Sequence, residues 1–397
     1  MTDTRRTIDV ETAPWPVFAE DEVEAAARVL RSGKVNYWTG TEGREFEREY
    51  AAALGRRHAV AVSNGTVALE LALLALGVGP GDDVVTTPRT FVATAGAAVL
   101  HGARPVFADV DRDSGNITAE TIEAALTPRT KAIIVVHLAG WPAEMGAIME
   151  LARARGIDVI EDCAQAHGAT VDGRPAGAFG EVAAFSFCQD KIVTTGGEGG
   201  LLAMDDEAAW NKAWSYKDHG KSFDAVYHRQ HPPGYRWLHE SFGSNWRMTE
   251  VQSAIGRLQL AKLEAWVEAR NRNAAILREH LEGLPAVRVP RPRDGVRHAY
   301  YKFYAYVQPD ALRSGWDRQR IQSEIMDAGA YCMSGSCSEI YREVAFTEAG
   351  LGPVERLPVA QELGDTSLMF QVHPTLSPEA VHATGEVAAS VLRSAVR

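Results

Sequence analysis

FSFCQDKIVTTGGEGG, residues 185–200, sets a single lysine, Lys191, between a short apolar strand and a glycine-rich run. Small and hydroxyl residues follow the lysine where a chain must turn tightly around something. A lysine before a loop is usually only solvated surface, so the surrounding chain has to decide its role. Ser186 and Lys191 fall just after the strand. A lysine able to shed its proton in a partly desolvated pocket can form a Schiff base with a carbonyl.

Outward from this stretch, short apolar runs alternate with helical ones: AVAVS then VALELALLALG, DVVTT then VATAGAAVLHG, RPVFADV, AIIVVHLA then AEMGAIMELARARG, and IDVIED. That rhythm predicts parallel strands joined by helical crossovers, a doubly wound sheet covered on both faces. Ligands of such sheets collect at the carboxyl ends of the strands. SNG at 63–65, TPRTF at 87–91, HLAGW at 137–141 and EDCAQAH at 161–167 all fall there, as does the opening stretch. Before the sheet, AEDEVEAAARVLRSG reads as an amphipathic helix closed at Gly33. After it, residues 219–246 lack a period and are rich in His, aromatic residues, Gly and Pro, which predicts a long loop over a site or a partner. From Met248 a long helical pattern leads out of the large domain, and YYKFYAYVQ begins a smaller α/β unit. The expected division is 1–250 for an N-terminal arm and large domain, and 251–397 for a linking helix and small domain.

The 397 residues are enough to bury a catalytic cleft, and 46% apolar with 23% charged residues is the balance of a folded globular protein. A net charge of -11 argues against nucleic acid or an anionic membrane as main partner. No apolar run approaches the ~20 residues of a membrane span, and the start lacks a signal-peptide core. Cys163, Cys188, Cys332 and Cys337 have no paired spacing and read as reduced thiols of a cytoplasmic protein. Cys332 and Cys337 with His228 and His231 lack zinc-ligand spacing, so no metal is expected.

Four stretches converge on one chemistry. In SNGTVALELALLALG a strand ends, Ser63 to Thr66 turn, and a helix begins, leaving free N–H groups and the positive helix end facing outward, as a phosphate requires. A plain N-cap would read the same way. Asp162, after the strand of VIEDCAQAHGA, is a buried carboxylate in need of a cation, which a protonated ring nitrogen supplies. Gln165 and His167 share that turn and face the same ligand or, on the bland reading, the core. Phe91 in TPRTFVATA is either a plate for a planar ring or a core aromatic. With Lys191 these make a phosphate cradle, a ring plate, a carboxylate for a ring nitrogen and a Schiff-base lysine, the set that pyridoxal 5'-phosphate requires.

On these motifs the chain resembles the nucleotide-sugar aminotransferases of the DegT/StrS group, fold-type I enzymes of the aspartate aminotransferase superfamily. The similarity runs from about Pro16 into the C-terminal domain and is dense at SNGTVALELAL, TPRTFVATA, EDCAQAHGA, FSFCQDKIVTTGGEGG and NWRMTEVQSAIGRLQL. The resemblance implies Lys191 as the Schiff-base lysine, Asp162 as partner of the pyridine nitrogen and Gln165 near the phenolic oxygen. It further implies Gly65, Thr66 and Ser186 as phosphate ligands, Phe91 as stacking plate, and Asn245 reaching the phosphate of the neighbouring subunit in a homodimer with shared sites. Some family members replace the lysine with histidine and dehydrate sugars; lysine here favours amino transfer. Many carry a His-Tyr-Pro stretch near the substrate where this chain has YCMSGSCSEIYRE at 331–343.

The implied reaction takes an amino group from an amino acid, glutamate as in relatives, to a nucleotide-linked keto-sugar. Lys221, Arg236 and Arg247, near the aromatic loop, are candidate anion contacts, or equally solvated surface. Two alternatives stay open: a keto-cyclitol aminotransferase, and a regulatory protein that holds the cofactor without turnover. A nicotinamide dehydrogenase ranks below both, since the dinucleotide fingerprint is missing after the first strands.

Overall fold

The computed structural model describes residues 14–397. Seven strands form the central sheet in the order His58–Val62, Gly200–Met204, Val182–Ser186, Asp158–Asp162, Thr130–Val136, Asp83–Thr86, Arg104–Phe107. All neighbours run parallel except Gly200–Met204, which is antiparallel to the strands on either side. The doubly wound, mostly parallel sheet read from the sequence is therefore present with one reversed strand. Alternation along each strand serves two cores, as the strand period of two demands. Val182, Ala184, Leu202 and Met204 join Leu71 and Trp214 on one face. Ala183, Phe185, Leu201 and Ala203 join Phe46 and Tyr50 on the other.

The reversed strand places the lysine. Ser186 pairs with Gly200 in the antiparallel ladder, so residues 187–199 close a hairpin rather than a crossover. This hairpin stands at the carboxyl end of Val182–Ser186, beside the end of Asp158–Asp162, with which that strand pairs in parallel.

The helix Glu20–Ser32 ends at Gly33, whose φ of 69° is the left-handed C-cap that glycine adopts freely. Residues 219–246 contain one short helix, Phe223–Tyr227, which the sequence pattern does not show. Ser222 caps it, and Phe223 packs edge-on against Trp210 and Trp214. A helix of 32 residues, Glu250–Leu281, then runs ~48 Å at the usual rise. Thr249 and Gln252 form its capping box. Ala254, near its start, packs with Ala25 and Val29. Its far end contributes Ala274, Leu277 and Leu281 to a second core. That core lies under a three-stranded antiparallel sheet, Val287–Arg288, Phe303–Val307 and Ser367–Phe370, and includes Ile321, Ile325, Val381 and Leu392 from two further helices. No helix among the described residues is long and apolar enough to cross a membrane.

Candidate active site

Three carboxyl-edge turns, after His58–Val62, Val182–Ser186 and Asp158–Asp162, lie along the end of the sheet at which the antiparallel strand Gly200–Met204 begins. After His58–Val62 the chain turns at Asn64, whose side chain accepts from the Val67 N–H at 3.0 Å and caps the helix Gly65–Ala75. The first-turn N–H groups of Gly65 and Thr66 have no carbonyl one turn earlier to bond. The turn is pressed onto the lysine hairpin: a Cβ on Gly65 would lie 2.5 Å from Cβ of Ser186, and one on Gly200 only 2.2 Å from the Asn64 carbonyl oxygen. Glycine is therefore required at both positions for close approach. Gly65, Thr66 and Ser186 are thereby gathered at one helix N-terminus, the geometry that accepts a phosphate.

Asp162 ends its strand and is 5% exposed. Its carboxylate accepts from the Thr94 hydroxyl at 2.8 Å and the Ala164 N–H at 3.1 Å. Among the described residues no cationic side chain forms an ion pair with it. Burial raises its pKa, opposed by those two donors and by the charge of Lys191. A buried carboxylate with only neutral donors is suited to a protonated ring nitrogen. The residues present therefore fit pyridoxal 5'-phosphate in kind: helix-end donors suited to an anion, a buried carboxylate suited to a protonated ring nitrogen, and a lysine amine suited to an aldehyde.

Lys191 is mostly buried, its side chain 16% exposed. Its Nζ lies 3.4 Å from the Tyr301 hydroxyl and 3.6 Å from an Asp190 carboxylate oxygen. The same hydroxyl donates to Asp190. Burial, then the Asp190 charge, pushes the Tyr301 phenol well above its ordinary pKa, so it stays protonated. The Trp15 indole N–H donates to the Lys191 carbonyl at 3.1 Å, so the N-terminal arm clamps the lysine backbone.

Gln165 is buried, and its side-chain oxygen accepts from the Ala139 N–H at 2.7 Å. Ala139 has a φ of 57° and Gly140 one of 92°, and a Cβ on Gly140 would meet the Tyr300 nitrogen at 2.9 Å. The tight turn of HLAGW thus brings Gln165 and the Tyr300–Tyr301 segment to the same edge. His167 takes the bland reading. Its Nδ1 accepts from the Tyr50 hydroxyl at 2.6 Å, its Nε2–H donates to the Ser186 carbonyl at 2.9 Å, and burial pushes its pKa down to about 4. It braces Ser186 from below.

Phe91 is 68% exposed, with its carbonyl accepting from the Thr94 N–H at 3.2 Å. Arg247 and Lys221 converge on the buried carboxylate of Asp218, at 2.5 and 3.0 Å. Arg247 also bridges to Val62 at the cradle's strand end, and the Lys221 ammonium sits 4.1 Å above the Trp38 ring. Arg236 is exposed and outside this cluster. Asn245 is exposed, and the next residue, Trp246, accepts from the Ser63 N–H at 2.8 Å. Thr94, Asp190, Tyr301 and Trp15 were not singled out from sequence. Only Asp190, adjoining the lysine, and Thr94, inside TPRTFVATA, lay near a visible motif.

His137, Glu161 and Cys163 form a buried cluster with ligand atoms within 4.8 Å of one another. Glu161 accepts N–H groups from Gly177, Phe179 and Gly180 at 2.7–2.8 Å and the ring N–H of His137 at 3.0 Å, while His137 Nδ1 accepts from the Ala143 N–H. These bonds make it a node that ties the loops beneath the sheet.

The family model for the DegT/DnrJ/EryC1/StrS aminotransferase family matches residues 16–390. An aminotransferase of Psychrobacter cryohalolentis is 52% identical, with a TM-score of 0.95 over 97% of this chain and 100% of that one. The UDP-N-acetyl-3-dehydro-alpha-D-glucosamine 3-aminotransferase of Acidithiobacillus ferrooxidans is 37% identical over 343 residues, 86% of each chain. GDP-perosamine synthase of Escherichia coli O157:H7 is 32% identical over 87% of this chain and 89% of its own. The lysine hairpin, the buried aspartate with its neutral donors and the glycine-tight turn thus sit in a chain matched along nearly its whole length, and the protein belongs to the DegT/DnrJ/EryC1/StrS aminotransferase family of fold-type I, pyridoxal 5'-phosphate-dependent transaminases.

Proposed function

We propose that this transaminase moves an amino group from glutamate to the ketone of a nucleotide-linked keto-deoxysugar, in amino-sugar biosynthesis. The observation that carries the reading is Asp162, a buried carboxylate with no ion-paired cation among the described residues, at the same sheet edge as Lys191. Two relatives named for nucleotide-linked sugars or the amino sugars made from them support the acceptor class.

The bound cofactor supplies an electron-withdrawing ring that stabilises negative charge on the carbon bearing the amine. The chain's own residues do the rest. Gly65, Thr66 and Ser186 hold the phosphate with N–H and hydroxyl donors, and Phe91 and Gln165 position the ring. Asp162, kept in place by Thr94 and Ala164, holds a proton on the ring nitrogen by charge. Lys191 Nζ takes the proton from the donor's α-carbon and later returns one to the sugar carbon that gains the amine. Tyr301, fixed by Asp190, restrains Nζ within 3.4 Å of its hydroxyl.

The reading extends to a cytoplasmic homodimer in which Asn245 of one chain completes the other chain's phosphate site. It divides the chain at 250/251, the second part bringing Tyr301 over the lysine. Arg247 and Lys221 act through Asp218 to shape the cleft, with Arg236 reaching substrate from the loop. A mass-spectrometric screen of keto-sugar nucleotides and keto-cyclitols with glutamate tests it. An aminated nucleotide sugar is expected; amination of a cyclitol alone would replace the acceptor, and a holoenzyme inert with every donor would leave the regulatory reading.

A further inference from the structure

Arg270 lies about two-thirds of the way along Glu250–Leu281 and is 1% exposed. Its Nη1 donates to the carbonyls of Tyr300 and Tyr301, at 3.2 and 3.3 Å. Its Nε and Nη2 have no partner among the described residues, and neither does any acidic side chain form an ion pair with it there. Those two nitrogens form one edge of the guanidinium, the edge whose parallel N–H groups match the two oxygens of a carboxylate. A buried cation with an open bidentate edge is strongly unfavourable unless an anion completes it.

The edge has room to be completed. A cavity of about 90 Å³ is bounded by Arg270, Trp15, Tyr301, Lys302, Gln371 and His373, with Asp190 also on its wall, several times the ~10–15 Å³ that one water needs. Its charges do not balance. Lys302 adds a second cation, 4.7 Å from the Tyr301 ring centre, while His373 is held neutral, with burial pushing it down to about 4. The one carboxylate on the wall, Asp190, already takes the Tyr301 hydroxyl and faces Lys191. Burial correspondingly depresses Arg270 to about 9 and lowers Lys302. The cavity adjoins the lysine through two residues. Tyr301 holds Arg270 by its carbonyl and meets Lys191 Nζ by its hydroxyl, and Trp15 lies under the guanidinium at 5.0 Å while bonding the Lys191 carbonyl.

We propose that the Arg270 cavity is the receptor for a carboxylate of the dicarboxylic amino donor and of its 2-oxo product, and so selects glutamate over monocarboxylic amino acids of similar size. The proposal rests on the aminotransferase reading with glutamate as donor.

The test uses holoenzyme of wild type, Arg270→Lys, Arg270→Met and Lys302→Met. Glutarate, which has two carboxylates and no amino group, is titrated by calorimetry. The donor half-reaction is followed by cofactor absorbance with glutamate and with alanine. Arg270→Met is expected to lose glutarate binding and to lower glutamate efficiency on the order of a hundredfold, the scale of deleting one partner of a buried charge pair, with alanine nearly unchanged. Arg270→Lys should fall between, since it keeps charge but not the fork. An equal loss with both donors would make Arg270 only a brace for the Tyr300–Tyr301 backbone and overturn the proposal. So would unchanged glutarate binding. If Arg270→Met does not fold, an unaltered glutamate-to-alanine ratio in both lysine-site variants, Arg270→Lys and Lys302→Met, overturns it. Should wild type respond to alanine but never to glutamate, the donor assignment fails, and glutarate binding still decides whether the cavity takes a carboxylate.

Discussion

The Thr94 hydroxyl donates to the Asp162 carboxylate at 2.8 Å, from the first turn of one crossover helix to the end of the strand two places away in the sheet. Among the described residues it is one of two donors on a carboxylate whose pKa burial has raised. Removing it makes the charged form costlier and loosens the side chain.

Thr94→Val is therefore expected to keep the cofactor while lowering turnover roughly tenfold, the worth of one hydrogen bond to a charged group. Thr94→Ser should restore most of it. Asp162→Asn, which removes the charge itself, should lose on the order of a hundredfold or more. Steady-state rates at saturating donor, alongside cofactor content by absorbance, separate the two levels, and near-wild-type turnover in Asp162→Asn would refute the electrostatic role.

Lys191→Ala should abolish covalent attachment of the cofactor. Borohydride reduction of the wild type followed by peptide mapping must place the label on Lys191; a label on Lys217 or Lys221 would defeat the assignment. Tyr301→Phe should retain attachment but slow the half-reaction, because Nζ then faces Asp190 without the intervening hydroxyl.

Gly65→Ala should cost cofactor affinity even though alanine is the better helix former. The new methyl would meet Ser186 at 2.5 Å, an overpacking worth about 1–3 kcal/mol. Equilibrium dialysis of cofactor against wild type and variant measures it, and equal affinity would mean that the turn yields without disturbing the cradle.

Folding stability should fall with acid through the buried histidines. His167, held neutral at about 4 in the folded protein, protonates near its ordinary value once unfolded. The unfolded chain therefore binds the extra proton between roughly pH 6.5 and 4, and stability declines by about 1.4 kcal/mol per pH unit for this group across that window. Above pH 6.5 its contribution is flat. His167→Gln should lower stability at pH 7.5 but show a shallower acid slope by one proton in denaturant titrations; an unchanged slope would place the proton uptake elsewhere.

Mixing an inactive Lys191→Ala chain with an inactive Asn245→Asp chain should regenerate activity if Asn245 serves the neighbouring chain's phosphate. One site of the mixed dimer then has both native residues and the other has neither. Native mass spectrometry must first show that mixed dimers form. If they form and stay inactive, Asn245 acts within its own chain.

What the sequence made legible was whatever is carried by local pattern. The alternation of apolar runs with helices predicted the sheet, and Gly33 the end of the first helix. The turn before Gly65, the end of the Asp162 strand and the tight turn after Lys191 were each readable because strand ends have local signatures. Direction and long-range contact were not. Gly200–Met204 is as apolar as its parallel neighbours, so nothing in its composition announces that it runs the other way. Tyr301 and Arg270 lie 110 and 79 positions from Lys191, in stretches that read as ordinary strand and helix. Only packing of the second core against the first brings them to the lysine. His167 shows the converse: a residue in the middle of a functional motif whose two bonds are both spent on Tyr50 and Ser186.

The reversed strand also orders events as the chain is made. Ser186 and Gly200 close their hairpin across few residues, a cheap local loop. Val62, however, pairs with Gly200, so the strand His58–Val62 emerges from the ribosome long before its only sheet neighbour exists. Until Gly200–Met204 joins the two strands, Gly65 and Thr66 are not held against Ser186, and the proposed phosphate site is incomplete. If the proposed site holds the cofactor, its capture follows the most distant pairing in the large sheet, 58–62 with 200–204.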